Sequence, residues 1–377
     1  MTAPRVAVAG VHGHGASHVR NVVRLAAEGR AELVGVADPL PGPDLPAPAF
    51  GSLEELLAAT EVDVVIISTP IQTHVPLAEL AMRAGADVLL EKPPTASLAE
   101  FEQLSAVVAA TGRACQVGFQ AQASQATLRL AAMISKGRFG EIRGISATGK
   151  WLRKARYFQR ARWAGRRTLD GVAVVDGAVT NPLAHSTAAA LLLDGSPGVD
   201  DVRSVETELF RANPIESDDT STVRIVTARG TTILIAVTLC ATEHLEPAVI
   251  VHGSEGRAVL RYASDTLEIH EGSCMTQTKR ERADLLENLL AHRVDPGVPL
   301  YVPLEATGGF TRVVEAVRTA NDPAEIPAGL VRWEGEGLER HPVVLDVEQW
   351  IDRASDELAL FSEIGAPWSI QSTRENS

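Results

Sequence analysis

Arg5-Val6-Ala7-Val8-Ala9-Gly10-Val11-His12-Gly13-His14-Gly15 is the stretch that decides the fold. A short β run stops on a glycine-rich turn, and residues 16 to 27 then carry apolar side chains at helical spacing. Strand, glycine turn and helix together form the local context of a dinucleotide fingerprint. The physical reason is phosphate. Glycines permit a tight turn and close backbone approach to a pyrophosphate, while amides at the helix N-terminus supply donors at the positive end of a dipole. Gly10, His12, Gly13, His14 and Gly15 are therefore expected to touch the cofactor, although His12 stands where the fingerprint wants its second glycine. His14 and His18, four apart on a helix face, join His12 in suggesting a metal. No Cys or carboxylate lies nearby in the sequence to complete a set, so no metal site is expected.

Outward from this stretch, residues 32 to 37 read as a second strand ending on Asp38. An acid there accepts both ribose hydroxyls of NAD and repels the extra phosphate of NADP. Pro39 and Leu40 follow, with no arginine ready to hold that phosphate, so NAD is expected in preference to NADP. Residues 63 to 68 read as a third strand, leaving into Thr69-Pro70-Ile71-Gln72-Thr73-His74, and residues 76 to 84 as a helix closed by Gly85. Val88-Leu89-Leu90-Glu91-Lys92-Pro93-Pro94 is an apolar run halted by an acid, a base and two prolines, which cannot continue a central ladder. Ligands of open α/β sheets sit outside the carboxyl ends of the strands, so Lys92 is a candidate catalyst. Residues 97 to 110 form an amphipathic helix with Ser97 as N-cap and Glu100 completing a capping box, and residues 114 to 119 a fifth strand.

The alternation predicts an α/β doubly wound parallel sheet, with a dinucleotide-binding domain over residues 1–121. Beyond it a helix is expected at 125–136 and a strand at 141–151. Strands follow at 202–210, 220–227, 231–239, 248–251, 258–262 and 266–269, then helices at 280–292, 305–319 and 347–361. Residues 122–377 thus read as an α+β domain on a large, mostly antiparallel open sheet, with a Gly/Glu-rich stretch at 333–337 and a frayed tail after Trp368.

Composition narrows the function. The 377 residues are 45% hydrophobic and 22% charged, as in a globular chain, and the net charge of −13 disfavours a nucleic-acid partner. A local basic patch runs from 153 to 167, where arginines and Lys154 alternate with Tyr157, Phe158 and Trp163. Cys115, Cys240 and Cys274 are far apart and odd in number, which argues for a reducing compartment. No apolar run approaches a membrane span, and the N-terminus offers no signal peptide, so a cytoplasmic protein without a membrane partner is expected.

Taken together the chain resembles the Gfo/Idh/MocA family (glucose-fructose oxidoreductase, inositol dehydrogenase and rhizopine catabolism). The marks are the glycine turn with His18, Asp38, Ser68-Thr69-Pro70 with His74, Glu91-Lys92-Pro93, and Ile134 through Gly137 to Gly140-Glu141-Ile142. The resemblance implies an N-terminal Rossmann domain with Thr69, Pro70, His74, Glu91 and Lys92 at the cofactor. It also implies a C-terminal domain whose sheet binds substrate and joins subunits into a homodimer or homotetramer, and an NAD(P)-dependent oxidoreductase acting on sugars, cyclitols or related polyols. Lys92 would then touch both the nicotinamide ribose and a substrate hydroxyl.

The family's Asp-x-Gly-x-His-x-x-Asp pattern meets Asn181-Pro182-Leu183-Ala184-His185-Ser186-Thr187-Ala188, ahead of an apolar helix ending at Gly195. His185 survives and both acids are gone. The expected roles are His185 as general acid/base, Lys92 as the group that polarises the oxygen, and Asn181 as a substrate holder. Asn181 equally suits a helix N-cap with Pro182 at N1. Asp176 is expected to replace the missing carboxylate, and Lys150, Tyr157, Arg162 and Trp163 to face the substrate. Phe119-Gln120-Ala121-Gln122, where many relatives carry basic residues, weighs against an anionic substrate group. Two rival functions share these residues: a glycosidase that uses NAD transiently, and a dinucleotide-binding protein without catalysis.

Overall fold

The computed structural model describes residues 3–42 and 44–370, and the contacts divide the chain into two units. Unit 1 comprises residues 1–119 and 283–307; unit 2 comprises 120–282 and 308–377. The first division falls two residues before the expected 121. The return of residues 283–307 to unit 1 has no counterpart in the sequence reading. The last seven residues of the tail expected to fray lie outside the described residues.

Unit 1 is built from β1 (Arg5–Ala9), α1 (Gly15–Ala27), β2 (Glu32–Ala37), β3 (Ala49–Phe50), α2 (Leu53–Ala59), β4 (Val64–Ile67), α3 (His74–Arg83), β5 (Asp87–Leu90), α4 (Leu98–Thr111) and β6 (Cys115–Val117). Among the described residues its sheet has the order β3-β2-β1-β4-β5-β6, parallel throughout, which is the doubly wound arrangement. Continuous aliphatic runs suit strands covered on both faces: Val64, Val65, Ile66 and Ile67 are all fully buried. The α1 helix buries His18, Val19, Val22 and Leu25, one stripe at helical spacing. Ser97 caps α4 by accepting from the Glu100 amide, and Glu100 reaches back to the Ala96 amide. β3 and α2 were not expected. The signal for α2 is Ser52-Leu53-Glu54-Glu55, where Ser52 accepts from the Glu55 amide.

Unit 2 opens with α5 (Gln125–Ser135) and β7 (Ile142–Lys150), a short α6 (Ala155–Phe158), and the small antiparallel pair β8 (Thr168–Leu169) and β9 (Val172–Ala173). Then come α7 (Ala184–Asp194), β10 (Val202–Arg211), β11 (Thr220–Thr227), β12 (Thr232–Thr238), β13 (Ala248–Gly253), β14 (Arg257–Arg261), β15 (Thr266–Glu271) and β16 (Cys274–Lys279). After α8 (Leu285–Val294), which belongs to unit 1, unit 2 resumes with α9 (Gly308–Thr319), β17 (Ala324–Glu325), the hairpin β18 (Val331–Glu334) and β19 (His341–Val344), and α10 (Val347–Glu357).

The large sheet runs β16-β15-β14-β13-β7-β12-β11-β10-β17. It is antiparallel except where β7 meets β12 and β10 meets β17. α8 begins later than expected because Asp284 caps it, accepting from the amides of Leu286 and Glu287. The last helix stops at Glu357 because Leu358 takes a left-handed conformation with φ of 53°.

Both faces of β7 are covered, and alternation assigns its side chains. A Cβ on Gly149 would lie 2.5 Å from Leu183, just before α7, whereas one on Gly144 would lie 2.3 Å from Leu358, just after α10. Ser146 shares the second face, its hydroxyl 2.7 Å from that of Ser355 in α10. Odd positions of β7 therefore face α7 and even positions face α10.

Candidate active site

In unit 1 the glycine turn packs against the β4 exit with no room for side chains. A Cβ on Gly10 would come 2.4 Å from the Ser68 carbonyl oxygen, and one on Gly15 would come 1.9 Å from that of Gly10. Gly13 faces open space. α1 starts at His14 without a side-chain cap and with no acid in its first turn, so its leading amides have no competing carboxylate. Both observations fit a pyrophosphate seated on the turn. The Asp38 carboxylate accepts from the amides of Val11 and Leu40, at 3.1 and 3.0 Å, which ties the β2 exit to the turn. His12 swings toward the same place, its Nε2 2.8 Å from the Leu40 carbonyl.

Glu91 joins His14 and His18, which corrects the expectation that no carboxylate is near. Its Oε1 lies 2.8 Å from Nε2 of His18 and 3.3 Å from Nε2 of His14, and the three ligand atoms lie within 4.8 Å of one another. Burial opposes the Glu91 charge, but the hydrogen bonds to His14 and His18 outweigh it and hold the carboxyl well below its usual range. The same bond raises His14, against partial burial and the nearby Lys92 charge. The Lys92 amide donates to Oε2 of Glu91 at 3.2 Å.

Thr69 and Pro70 shape the β4 exit: Thr73 donates its hydroxyl to the Thr69 hydroxyl at 2.6 Å and its amide to the Pro70 carbonyl at 2.9 Å. His74, expected at the cofactor, is 2% exposed. Its Nδ1 faces the Pro93 carbonyl at 3.0 Å and its Nε2 the Thr69 carbonyl at 2.9 Å. Burial lowers its pKa. Its ring thus braces the exits of β4 and β5 against each other, and it acts on a ligand only through them.

In unit 2 the expected residues sort into two groups. His185 is the second residue of α7, half-buried, with its ring 6.2 Å from that of Tyr262, whose hydroxyl meets Ser186 at 2.8 Å. Asn181 donates Nδ2 to Oδ1 of Asp176. It does not cap the helix, because α7 starts three residues later with Leu183 in the cap position.

Asp176 also departs from expectation. Its side chain is 2% exposed, and besides Asn181 it takes the Gly165 amide at 2.7 Å and Nη2 of Arg160 at 3.0 Å. A carboxylate so enclosed and so engaged braces Asn181 and does not meet a substrate directly. Lys150 is an even position of β7, and its ammonium pairs with Asp352 of α10, on the face opposite α7. The pleat thus turns it away from the helix that carries His185.

Tyr157 lies between two guanidiniums, with Arg153 4.8 Å and Arg160 3.8 Å from its ring centre; Trp163 takes the other side of Arg160 at 4.5 Å. Arg162 pairs with Asp170 at 3.2 Å. A cavity of about 970 Å³ lined by Phe158, Arg166, Arg211, Trp333 and Arg340 contains none of the expected catalytic residues.

Several supports escaped the sequence reading. Asp218, 1% exposed, accepts from Ser221 and packs so closely on Gly177 that a Cβ there would lie 1.8 Å from its Oδ1. Two adjacent acids opening a β run were the available signal. Val175 holds φ of 44°, a strained value for a β-branched residue, immediately before Asp176. Gln122 donates to the Ala188 carbonyl at 3.1 Å and so positions α7.

Residues 4–119 match the oxidoreductase family with an NAD-binding Rossmann fold, and residues 127–259 match the Gfo/Idh/MocA C-terminal domain. An inositol 2-dehydrogenase of Rhizobium meliloti (strain 1021) is 27% identical over 64% of this chain and 72% of its own length. The scyllo-inositol 2-dehydrogenase (NAD(+)) of Bacillus subtilis (strain 168) is 34% identical over 36% of this chain and 42% of its own. The crystal structure of the WlbA dehydrogenase from Bordetella pertussis, in complex with NADH and UDP-GlcNAcA, is 20% identical. It superposes with a TM-score of 0.68 over 84% of this chain and 95% of that one, which establishes likeness of fold.

Proposed function

The chain belongs to the Gfo/Idh/MocA oxidoreductase family, and from that premise we propose that it transfers hydride between NAD and a hydroxyl-bearing carbon of a sugar, cyclitol or related polyol. The observation that carries this reading is the uncapped, acid-free start of α1 behind a turn that admits no side chain at Gly10 or Gly15, with Asp38 held beside it. When bound, the nicotinamide supplies the hydride acceptor. The relatives named above as inositol dehydrogenases support a cyclitol or sugar as the other partner.

In this proposal Lys92 donates to the substrate oxygen and stabilises negative charge as its proton leaves. His185 takes that proton as general base and returns it in the reverse direction. Asn181, oriented by Asp176, holds a neighbouring hydroxyl. Gly10, Gly13, Gly15 and the first amides of α1 seat the phosphates, and Asp38 accepts from the ribose hydroxyls, which favours NAD over NADP. Glu91 fixes His14 and His18 beneath them.

We place the protein in the cytoplasm: its three cysteines are free, and no described helix is long and apolar enough to cross a membrane. We also assign it a homodimer or homotetramer through the unit 2 sheet, whose edge strand β16 is largely exposed. The test is direct. NADH and NADPH are titrated by fluorescence quenching, and NADH formation is then followed across a panel containing myo-inositol, scyllo-inositol and aldoses. Saturable NADH binding with turnover of at least one polyol is expected. A chain that binds neither dinucleotide would remove the reading.

A further inference from the structure

Seven of the eight lysines and arginines between Lys150 and Arg167 stand within 3.7 Å of a carboxylate, from Lys150 at Asp352 through Arg160 at Asp176 to Arg167 at Asp322. Arg153 is the exception: among the described residues no carboxylate pairs with it. Its guanidinium is wedged between two rings instead, 4.4 Å from the centre of Trp151 and 4.8 Å from that of Tyr157. Its Nε is buried without a hydrogen-bond partner, while the residue as a whole is only half-buried, so a solute can reach the remaining edge. The polar side chain it does meet, the Tyr157 hydroxyl, is neutral.

Past β7 the backbone changes partner sense: the Trp151 amide donates to the Thr238 carbonyl at the end of the parallel ladder, whereas Leu152 meets Cys240 in an isolated antiparallel bridge that places the Arg153 amide on the Leu239 carbonyl. Stacking and bonding then link Arg153 to the candidate site: Tyr157 lies between Arg153 and Arg160, Arg160 binds Asp176, and Asp176 holds Asn181. His244 stacks on the Trp151 ring at 4.8 Å, and burial and then the Arg153 charge lower its pKa. Burial also pushes Arg153 below the usual guanidinium range.

The geometry points to Arg153 as the seat of a carboxylate on the substrate, which makes that substrate an acidic sugar or acidic cyclitol. This inference rests on the dehydrogenase reading for the reaction but not for the binding. A desolvated cation flanked by aromatic rings is stabilised most by an anion that can meet its planar fork in a bidentate manner. One unmatched positive charge suits a monoanionic carboxylate better than a dianionic phosphate ester. The neutral Gln120 and Gln122 therefore do not exclude an anionic substrate; the charge for it lies on a different segment.

The test compares the full-length wild type with Arg153→Gln and Arg153→Lys by calorimetry at saturating NADH. The probes are D-glucuronate, D-galacturonate and D-gluconate, their neutral counterparts D-glucose, D-galactose and D-glucitol, and D-glucose 6-phosphate. At least one carboxylate is expected to bind roughly tenfold or more tightly than its neutral counterpart. Arg153→Gln should erase that preference and Arg153→Lys should restore part of it, with near-UV circular dichroism unchanged in both. No preference for any carboxylate, a preference that Arg153→Gln leaves intact, or a stronger gain for the phosphate ester would overturn the proposal. Absence of turnover with every probe, while the Arg153-dependent preference persists, would count against the dehydrogenase reading alone.

Discussion

Nε2 of His18 lies 2.8 Å from Oε1 of Glu91, and both residues are more than nine-tenths buried although 73 positions separate them. This contact fastens the first helix of unit 1 to the end of β5, immediately before Lys92. Truncating one member leaves the other polar group buried without its partner. Glu91→Ala should therefore lower the unfolding free energy by about 3 kcal/mol in urea denaturation, and Glu91→Gln by about 1 kcal/mol. A Glu91→Ala protein as stable as the wild type would show that the contact holds nothing.

The same cluster sets a pH dependence. Glu91 is depressed, so its contribution is complete above the ordinary carboxylate range and disappears only as pH falls through its lowered folded value. His14 is raised, so its contribution is complete below its ordinary value of 6.5 and disappears as pH rises through its folded value. The stability difference between wild type and His14→Gln should accordingly be largest near pH 5 to 6 and shrink from about pH 7 upward. It will be small, because His14 is more than half exposed. Urea titrations of both proteins across that range decide the sign.

Gly15 and Gly13 make a matched pair of controls. A Cβ at Gly15 meets a carbonyl oxygen at 1.9 Å, so Gly15→Ala should destabilise by about 1 to 3 kcal/mol and abolish dinucleotide quenching. Gly13 has φ of 55° and no neighbour within 4 Å, so Gly13→Ala should lose about 1 kcal/mol of stability and retain the fold. Equal effects from the two would show that close packing of the turn is not what excludes side chains.

Cofactor preference should follow Asp38. Asp38→Ala removes a charged acceptor for the ribose hydroxyls, an interaction of about 1.5 to 3 kcal/mol, and should weaken NADH by roughly tenfold or more while NADPH gains relative to it. Fluorescence titration of both dinucleotides gives the ratio. An unchanged ratio would move the ribose elsewhere.

Lys92→Met and His185→Ala should each lower kcat by about 10²- to 10⁴-fold on whichever polyol the wild type oxidises, with NADH binding retained. Near-native turnover in both variants would refute the assignment.

What the sequence made legible follows from the range of each signal. The parallel strands of unit 1 could be read because their aliphatic runs are local, and α4 because Ser97 and Glu100 sit within one turn. Glu91 beside His18 could not, since only the strand order brings β5 and α1 together. Lys150 was misread because its residue type and position suit a substrate contact, and only the register of β7 shows which face it occupies. Asp176 failed similarly: a carboxylate near a presumed site looks reactive until its three internal partners are seen.

Residues 283–307 supply unit 1 with parts that its first 119 residues lack. Arg293 of α8 bridges Asp63 at 2.9 Å and Asp87 at 2.6 Å at the starts of two central strands, and the Val302 amide donates to the buried Gln116 at 3.2 Å. During synthesis, the cofactor unit therefore lacks the Arg293 bridge and the Val302 bond until most of the polypeptide has left the ribosome, with Asp63 held by Arg5 and Asp87 by the Ala114 amide. An excised fragment ending at residue 119 would stay permanently in that unfinished condition, so unit 1 is a domain in space without being one along the chain.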